Sequence, residues 1–396
     1  MPHNQDKAIY STAAEALPDL GLESLPDVWQ SAWEESAALF KELRQPFPEI
    51  DSLRRGCRAI GLSDEVETAI LEAATEIAAA PALSQLARLC HWLLFESGIK
   101  ELATRTWPTL PSSPLFYAVV LLSGWQRTFA GHAARRIDPA VSRATLADLE
   151  LWMRHYRNKH GAWGLAEFNW LRGHFEGKIY ALGRLQFELT NFSFDYRLLQ
   201  QRQTERLILL GNVGQTQDAQ HFSGTPVHPT GRILGHTIQL PKSEWKQILQ
   251  KGDPTLAIHI PATGPMDFDA CGDSLQRALE FFPRHFPDYP FAAFTCHSWL
   301  LDSQFEDYLP ARSNIVRFLR EMYLFPVPDS SDTQTMDRVF GEKPRDLTQA
   351  PRNTTLRRAV LDHMLKGGNW YDAGGLLVPH QLEWGTCRYR KNFPDL

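Results

Sequence analysis

Two histidines in this chain interrupt runs of apolar residues that are typical of buried β-strands. His259 stands near the end of TLAIHIP (residues 255–261), and His297 stands near the end of FAAFTCHSWLL (residues 291–301). An imidazole titrates near neutral pH, so either side chain could act as a general base. If the two strands are neighbours, we expect the two histidines to lie close together at a cleft. The alternative is that each is a buried residue, hydrogen-bonded to a backbone carbonyl.

Cys296 precedes His297 directly but does not form a nucleophile–base pair with it. Successive side chains of a strand point to opposite faces of the sheet, so Cys296 shares a face with Ser298 while His297 takes the other face. A cysteine-dependent hydrolase would need a partner base that the sequence does not place. This function is therefore the least favoured.

The two histidine strands belong to an alternation of strands and helices over residues 255–327. Between them, CGDSLQRALEFFPRHF has apolar residues at helical spacing; after them, QFEDYLPARSNIVRFLREM is mostly helical and YLFPV predicts a third strand. Two parallel strands joined by a helix present loops at their carboxyl ends, where open α/β sheets usually bind ligands. We therefore expect a small-molecule site around Pro261–Ser274 and His297–Asn314.

Upstream of this region, the chain changes from helical to strand periodicity near Gly177. Residues 26–173 show helical patterns almost throughout, whereas KIYALGRLQFELTNF (residues 178–192) alternates as one long strand. RLILLG and RILGHTIQL predict further strands, and the segment between them, rich in Gly and Pro, predicts an exposed loop or hairpin. The fold class is therefore α+β. We predict an all-helical domain over residues 1–165, followed by an α/β domain built on one mixed sheet over residues 166–396.

Composition argues against several classes of protein. The 41 Lys and Arg against 46 Asp and Glu give a net charge of −5, which gives no reason to expect nucleic acid or a membrane as partner. Five scattered cysteines without a CxxC motif, and the absence of HxH, HxxxH and HExxH, predict neither a disulfide framework nor a metal site. The first residues are unlike a signal peptide, and the longest apolar run is too short to span a bilayer. We expect a cytoplasmic protein.

The run LAIHIPATGP…SLQRALEFFP…FTCHSWLLD…SNIVRFLREMYLFP resembles the C-terminal domain of a bacterial family of acyltransferase-domain proteins. In that family a helical N-terminal domain precedes a domain with the fold of the Gcn5-related N-acetyltransferases (GNAT). The resemblance implies a GNAT-like domain over residues 166–396 and an acyl-CoA-dependent N-acyltransferase. Acyl-CoA would be a co-substrate rather than a permanently bound cofactor, and the acceptor would be a small-molecule or peptide amine. A homo-oligomer is compatible with this reading.

The resemblance also implies where coenzyme A binds. GNAT proteins hold its pyrophosphate on backbone amides at a helix N-terminus. The residues at the matching place, after the strand LAIHIP, are Pro261, Thr263, Gly264, Gly272 and Ser274. The usual phosphate-loop pattern (Arg or Gln, two residues, Gly, any residue, Gly or Ala) is absent, and Asp267, Asp269 and Asp273 stand there instead. Three carboxylates oppose a pyrophosphate electrostatically; Asp273 and Ser274 have the alternative role of capping the helix.

A second match to the family lies at the start of the helix after the His297 strand. Asn314 occupies the place of an asparagine that contacts the pantetheine arm in the family, and Ser313 is the candidate cap of that helix. The tyrosine that often serves the family as proton donor has no counterpart in this helix. Tyr308 and Tyr323 lie nearby and are the candidate substitutes, with packing as the favoured alternative role.

For an acyltransferase, His259 and His297 are thus the candidate catalytic bases, with Glu176 and Glu188 next. A rival hypothesis is a catalytically inactive GNAT-like protein that keeps the fold as a binding or scaffold module. The missing phosphate-loop residues favour the rival, and the histidines favour the enzyme.

Overall fold

The computed structural model describes residues 10–40, 47–97 and 107–394. The chain divides into two compact units, Met1–Ala181 and Leu182–Leu396. In the described residues, no helix is both long and apolar enough to cross a membrane.

The described part of the first unit is helical as far as Phe175, and only the start of β1 follows. Its helices are α1 (Ala13–Leu20), α2 (Asp27–Phe40), α3 (Ile50–Ile60), α4 (Asp64–Ala79), α5 (Pro81–Phe95), α6 (Phe116–Ser123), α7 (Trp125–Ala134), α8 (Pro139–Leu146), α9 (Asp148–His160) and α10 (Phe168–Phe175). The almost entirely apolar α6 has no polar face to expose, and it packs against α3, α4, α5 and α10. Its residues Ala118–Leu122 are fully buried, so this helix forms the centre of the helical core.

The strands of the second part of the chain form two sheets. Strands β1 (Ile179–Leu182), β2 (Leu185–Asn191), β8 (Pro254–His259), β9 (Ala293–Ser298), β10 (Tyr323–Pro326) and β11 (Ala373–Leu377) form a mixed sheet in the order β1-β2-β8-β9-β11-β10. Strands β3 (Tyr196–Gln201), β4 (Leu207–Gln217), β5 (His221–Val227), β6 (Ile238–Pro241) and β7 (Trp245–Leu249) form an antiparallel sheet in the order β6-β5-β4-β3-β7.

The structure corrects two of the predictions about these strands and decides between the two alternatives of a third. Residues 178–192 are not one long strand, because Gly183 adopts φ +88° and turns the chain between β1 and β2. The Gly- and Pro-rich excursion is the hairpin of β4 and β5 rather than a loop. This hairpin builds the second sheet, so the prediction of a single sheet was wrong.

The helices of the second unit follow the ends of its strands. They are α11 (Phe268–His285), α12 (Phe305–Tyr308), α13 (Asn314–Glu321), α14 (Thr333–Phe340), α15 (Thr355–Leu365) and α16 (Arg388–Lys391). As predicted, β8 and β9 are parallel neighbours joined by a helix, α11. The predicted third strand is β10, but β11 lies between it and β9 and pairs antiparallel with both.

Helix α11 covers one face of the mixed sheet. Its buried residues Phe268, Cys271, Leu275, Ala278 and Phe282 recur at helical spacing. The ring of Phe282 contacts Phe187 of β2, and Phe187 in turn contacts Phe294 of β9. This aromatic packing fixes which side chains of β8 and β9 face the helix and which face away from it.

Candidate active site

The two central strands of the mixed sheet separate at their carboxyl ends. Strands β8 and β9 pair only from Thr255↔Ala293 to Ala257↔Thr295, although β8 continues to His259 and β9 to Ser298. Beyond this point each strand stays paired on its outer side, β8 with β2 and β9 with β11. We call the opening between residues 258–261 and 296–298 the wedge. Its place, at the carboxyl ends of parallel strands, is where open α/β sheets usually bind ligands.

Both predicted catalytic histidines lie at the wedge. Each is two residues beyond the last paired position, and parallel partners share a face, so both project from the same face of the sheet. Ile258 lies opposite Phe187, and therefore on the α11 face, so the histidines lie on the face away from α11. Their side chains are 29% exposed for His259 and 43% exposed for His297. Neither histidine is therefore fully buried, as the alternative interpretation had it.

His259 is hydrogen-bonded to a carboxylate of the neighbouring strand. Its Nε2 lies 2.9 Å from Oε2 of Glu188, whose side chain is 32% exposed. Glu188 lies opposite Ala257 in the β2–β8 pairing, so it projects from the same face as His259. A carboxylate only accepts hydrogen bonds, so this contact fixes the orientation of the ring with Nε2 towards Glu188.

His297 has a looser and more deeply buried partner. Its Nε2 lies 3.9 Å from Oδ2 of Asp372, which is beyond hydrogen-bond distance, and its ring contacts Phe194. Neither ring nitrogen of His297 has a hydrogen-bond partner in the described residues. Asp372 is 8% exposed; its Oδ2 accepts a hydrogen bond from Gln334, and its Oδ1 has no partner in the described part of the chain. Burial raises the pKa of Asp372, and the nearby His297 opposes that rise.

The thiol of Cys296 is unsuited to nucleophilic chemistry. Cys296 is 2% exposed and alternates with His297, so it lies on the α11 face. Burial raises its pKa to about 12. The thiolate is therefore scarce at neutral pH, which argues against the cysteine-dependent hydrolase.

The loop between β8 and α11 borders the wedge and contains Pro261, Thr263 and Gly264. Gly264 adopts φ +134°, a conformation that side chains rarely allow, and nothing lies near the position of an added Cβ. The loop carbonyls accept hydrogen bonds from Arg184: Nη1 to Pro261 O (3.0 Å), Nη2 to Gly264 O (3.1 Å) and Nε to Pro265 O (3.0 Å). Arg184 was missed in the sequence because it lies far from the loop along the chain.

The three aspartates of this region have different surroundings. Asp267 is the N-cap of α11, and its Oδ1 accepts from the N–H of Ala270 at 2.8 Å. The carboxylate of Asp269 lies 3.7 Å from the guanidinium of Arg317, and Asp273 is exposed one turn further along. The capping role suggested for Asp273 and Ser274 is thus wrong, because the helix begins earlier than predicted.

Gly272 and Ser274 lie inside α11 and have packing contacts instead of an open loop position. A Cβ on Gly272 would lie 2.5 Å from the ring of Trp384, so the glycine permits that close approach. The hydroxyl of Ser274 is buried; it donates to Ala270 O (2.8 Å) and accepts from the N–H groups of Arg184 (2.8 Å) and Leu185 (3.2 Å). These contacts fix the β1–β2 turn onto the helix.

Ser313 and Asn314 begin α13 as expected. Ser313 is its N-cap and accepts from the N–H of Val316 at 3.3 Å, which confirms the predicted cap. Asn314 is half-buried, and its side chain makes no hydrogen bond in the described residues. Its amide is therefore available to a ligand.

The other residues considered from the sequence are engaged elsewhere. The buried Tyr323 donates to Val227 O at 2.6 Å and accepts from the N–H of Leu209 at 3.1 Å. The Tyr308 hydroxyl lies 3.2 Å from Nδ1 of His363. Glu176 pairs with Arg172 at 3.1 Å within the helical unit.

Two family models match the chain in consecutive segments. A model described as N-acyltransferase N-terminal domain matches residues 51–177, and a model described as GNAT-like C-terminal domain matches residues 179–377. The second match covers half of the chain, which therefore belongs to the GNAT-like family. The resemblance seen in the sequence, a helical region followed by a GNAT-like domain, is confirmed.

Solved acyltransferase structures are similar to the chain over nearly its whole length. An acyltransferase in complex with decanoyl-CoA is 26% identical, with 93% of this chain and 99% of that one covered and a TM-score of 0.66. An acyltransferase in complex with decanoyl-CoA and teicoplanin is 25% identical, with 92% and 98% covered and a TM-score of 0.63. An acyltransferase mutant in complex with octanoyl-CoA gives the same identity, coverage and TM-score. Comparison with curated proteins finds no match.

Proposed function

We propose that this protein transfers an acyl group from acyl-CoA to an amine acceptor. The observation that carries the proposal is the wedge, where two parallel strands part and two half-exposed histidines share one face. Support comes from the similar structures, which hold octanoyl-CoA or decanoyl-CoA. One of them holds decanoyl-CoA together with teicoplanin, which supports an acceptor that binds while the acyl-CoA is present.

The separated strands can bind the pantetheine arm of coenzyme A between them. Past Ala257 and Thr295, the facing edges of β8 and β9 no longer pair with each other. The amides of the arm can hydrogen-bond such an edge as an added strand does. The amide of Asn314 then contacts the arm, and the loop that follows β8 holds the pyrophosphate on its N–H groups.

The transfer is a direct attack in a ternary complex. The amine nitrogen attacks the thioester carbonyl carbon and forms the new C–N bond. The C–S bond then breaks, and its electron pair leaves with the sulfur of coenzyme A. The attacking nitrogen loses a proton, which the base accepts and which finally neutralises the departing thiolate. Such a reaction depends mainly on positioning and on this proton transfer.

We assign the base role to His297. It is the more exposed of the two histidines, and its ring nitrogens have no hydrogen-bond partner in the described residues. The carboxylate of Asp372, 3.9 Å away and largely buried, balances the positive charge of the imidazolium once the proton has moved. His259, whose Nε2 is already bound by Glu188, is the alternative base.

Calorimetry with coenzyme A, acetyl-CoA and decanoyl-CoA tests the binding step. We expect the wild type to bind at least one of them, and saturation at 100 times the Kd to add about 2.7 kcal/mol to the free energy of unfolding. Asn314→Ala should weaken binding at unchanged fold stability. Gly264→Val should weaken binding and, because of the positive φ, also lower the free energy of unfolding by about 1–3 kcal/mol. No binding of any of the three by folded wild type would favour the scaffold module.

Matched controls separate a local from a general effect. Asn158→Ala removes an exposed asparagine of the helical unit. Gly252→Val strains another exposed glycine with positive φ (+94°), and no atom lies near the position of its added Cβ either. Both control variants should bind acyl-CoA as the wild type does.

A further inference from the structure

We propose that Arg184 replaces the missing phosphate-loop motif by holding residues 261–265 in the shape that binds the CoA pyrophosphate. This role serves the proposed function and rests on it. All three nitrogens of the guanidinium donate to loop carbonyls, at 3.0 Å to Pro261, 3.1 Å to Gly264 and 3.0 Å to Pro265. The planar guanidinium can hold several acceptors at once, which a lysine ammonium does less rigidly.

The consequence concerns the backbone donors of the same loop: the N–H of Ala262 shares its peptide group with Pro261 O and that of Met266 with Pro265 O, whereas the Gly264–Pro265 peptide has no N–H. The N–H groups of Ala262, Thr263, Gly264 and Met266 have no acceptor in the described residues. With the carbonyls drawn to Arg184, the chain is held in a conformation in which these donors can meet an anion. Successive backbone N–H groups in a loop that leads into a helix form a typical site for phosphate. Without the arginine, carbonyl oxygens could turn towards the same anion and repel it.

Arg184 also opposes the charge of the nearby aspartates. Its guanidinium carries a full positive charge beside the loop that Asp267 and Asp269 follow. Asp267 is bound to the N–H of Ala270, and Asp269 is paired with Arg317. The electrostatic objection raised by the sequence, three carboxylates beside a pyrophosphate, is therefore reduced by two arginines that the sequence pattern does not reveal.

The position of Arg184 is itself fixed. It follows the turn at Gly183, and its own N–H donates to the buried hydroxyl of Ser274 at 2.8 Å. A Cβ on Gly183 would lie 3.0 Å from that hydroxyl, so the turn packs closely on α11. Through these contacts, one arginine connects the β1–β2 turn, the loop and the first turns of α11.

The test compares two acyl donors, acyl-CoA and the same acyl group on pantetheine, which lacks the pyrophosphate. Arg184→Gln should raise KM for acyl-CoA by about tenfold or more, equivalent to losing charge-assisted contacts. Its kcat with saturating acyl-CoA and its kinetics with acyl-pantetheine should match the wild type. Arg277→Gln, an exposed arginine of α11 beside the same turn, is the matched control and should leave KM for both donors unchanged.

Each outcome decides the question. An unchanged KM for acyl-CoA in folded Arg184→Gln would overturn the role of Arg184. Equal losses with both donors would overturn it as well, because they indicate a general structural defect. If Arg184→Gln does not fold, Arg184→Lys retains the charge and should raise KM for acyl-CoA selectively, by a smaller factor; equal changes with both donors would again count against the role. A wild type that uses neither donor would instead overturn the proposed function.

Discussion

Two histidines of the helical unit and the two histidines of the wedge have opposite environments. In the helical unit, His132 is 3% exposed and His174 is fully buried. At the wedge, His259 and His297 have side chains 29% and 43% exposed. Burial removes a histidine from contact with a substrate, so only the second pair can exchange protons with one.

The presence of a carboxylate does not distinguish the two regions. Nε2 of the buried His174 lies 3.4 Å from Oδ2 of Asp148, which also accepts hydrogen bonds from the indole N–H groups of Trp152 (3.1 Å) and Trp170 (2.8 Å). His259 and His297 have carboxylate neighbours too. A histidine near a carboxylate is therefore a structural contact in one unit and a candidate base in the other, and exposure at a strand end makes the difference.

The largest effect that tests this comparison is expected from His297→Gln. Loss of a general base lowers turnover by roughly a hundredfold to ten-thousandfold. The melting temperature should change little, because the side chain is half-exposed and makes no hydrogen bond in the described residues. Turnover with saturating substrates and thermal unfolding of the same variant are the measurements.

His259→Gln is the internal control for that result. We expect a smaller fall in turnover, because its Nε2 is already bound by Glu188. If His259→Gln instead shows the large loss and His297→Gln does not, the base is His259 and the assignment must be exchanged. A wild-type rate without any ionisation between pH 5.5 and 8 would remove both histidines and direct attention to Glu188.

The second prediction concerns stability in the helical unit. Burial lowers the pKa of His132 to about 4, and its Nδ1 lies 2.9 Å from the Ser142 hydroxyl while Nε2 has no partner in the described residues. The unfolded chain binds a proton near pH 6.5 that the folded chain rejects until about pH 4. Stability is therefore complete above pH 6.5 and falls as pH is lowered through this window, by about 3 kcal/mol.

Urea unfolding between pH 4 and 7 measures this effect. His132→Gln should be less stable at neutral pH but show a weaker pH dependence than the wild type. The exposed His155→Gln is the control and should keep the wild-type slope. Equal slopes for wild type and His132→Gln would show that other groups account for the acid sensitivity.

The sequence predicted the parts of the site that local patterns specify. The apolar runs of β8 and β9 and the amphipathic helix between them identified a parallel pair, and Ser313 identified the start of α13. Alternation alone could not place the turn at Gly183, because the apolar pattern continues on both sides of it. Nor could it show that β11, from far along the chain, enters between β9 and β10.

The residues predicted to bind coenzyme A also show what local sequence patterns cannot predict. Gly272 and Ser274 were selected for their position after β8, but their contacts are with Trp384 and with the β1–β2 turn. Arg184, which donates three hydrogen bonds to the loop, is about 80 positions away from it in the chain. Contacts between distant segments depend on tertiary packing, which no motif in a single sequence records.

The smallest expected effect comes from Asp372→Asn, which keeps the shape of the side chain and removes its charge. If Asp372 balances the imidazolium of His297, kcat should fall by about tenfold while KM for acyl-CoA stays unchanged.

The stability of the Asp372→Asn variant should not fall together with its kcat. Burial raises the pKa of Asp372, so its ionised form destabilises the fold at pH values above that pKa, and this penalty disappears as pH falls below it. The neutral asparagine avoids the penalty at pH 7, so the melting temperature should stay level or rise.

Glu188→Gln, the matched change beside His259, should leave kcat nearly unchanged. The opposite pattern, with the loss in Glu188→Gln, would assign the catalytic pair to β2 and β8. A fall in both kcat and melting temperature in Asp372→Asn would mean that this carboxylate resembles Asp148 in the helical unit, a buried structural acceptor.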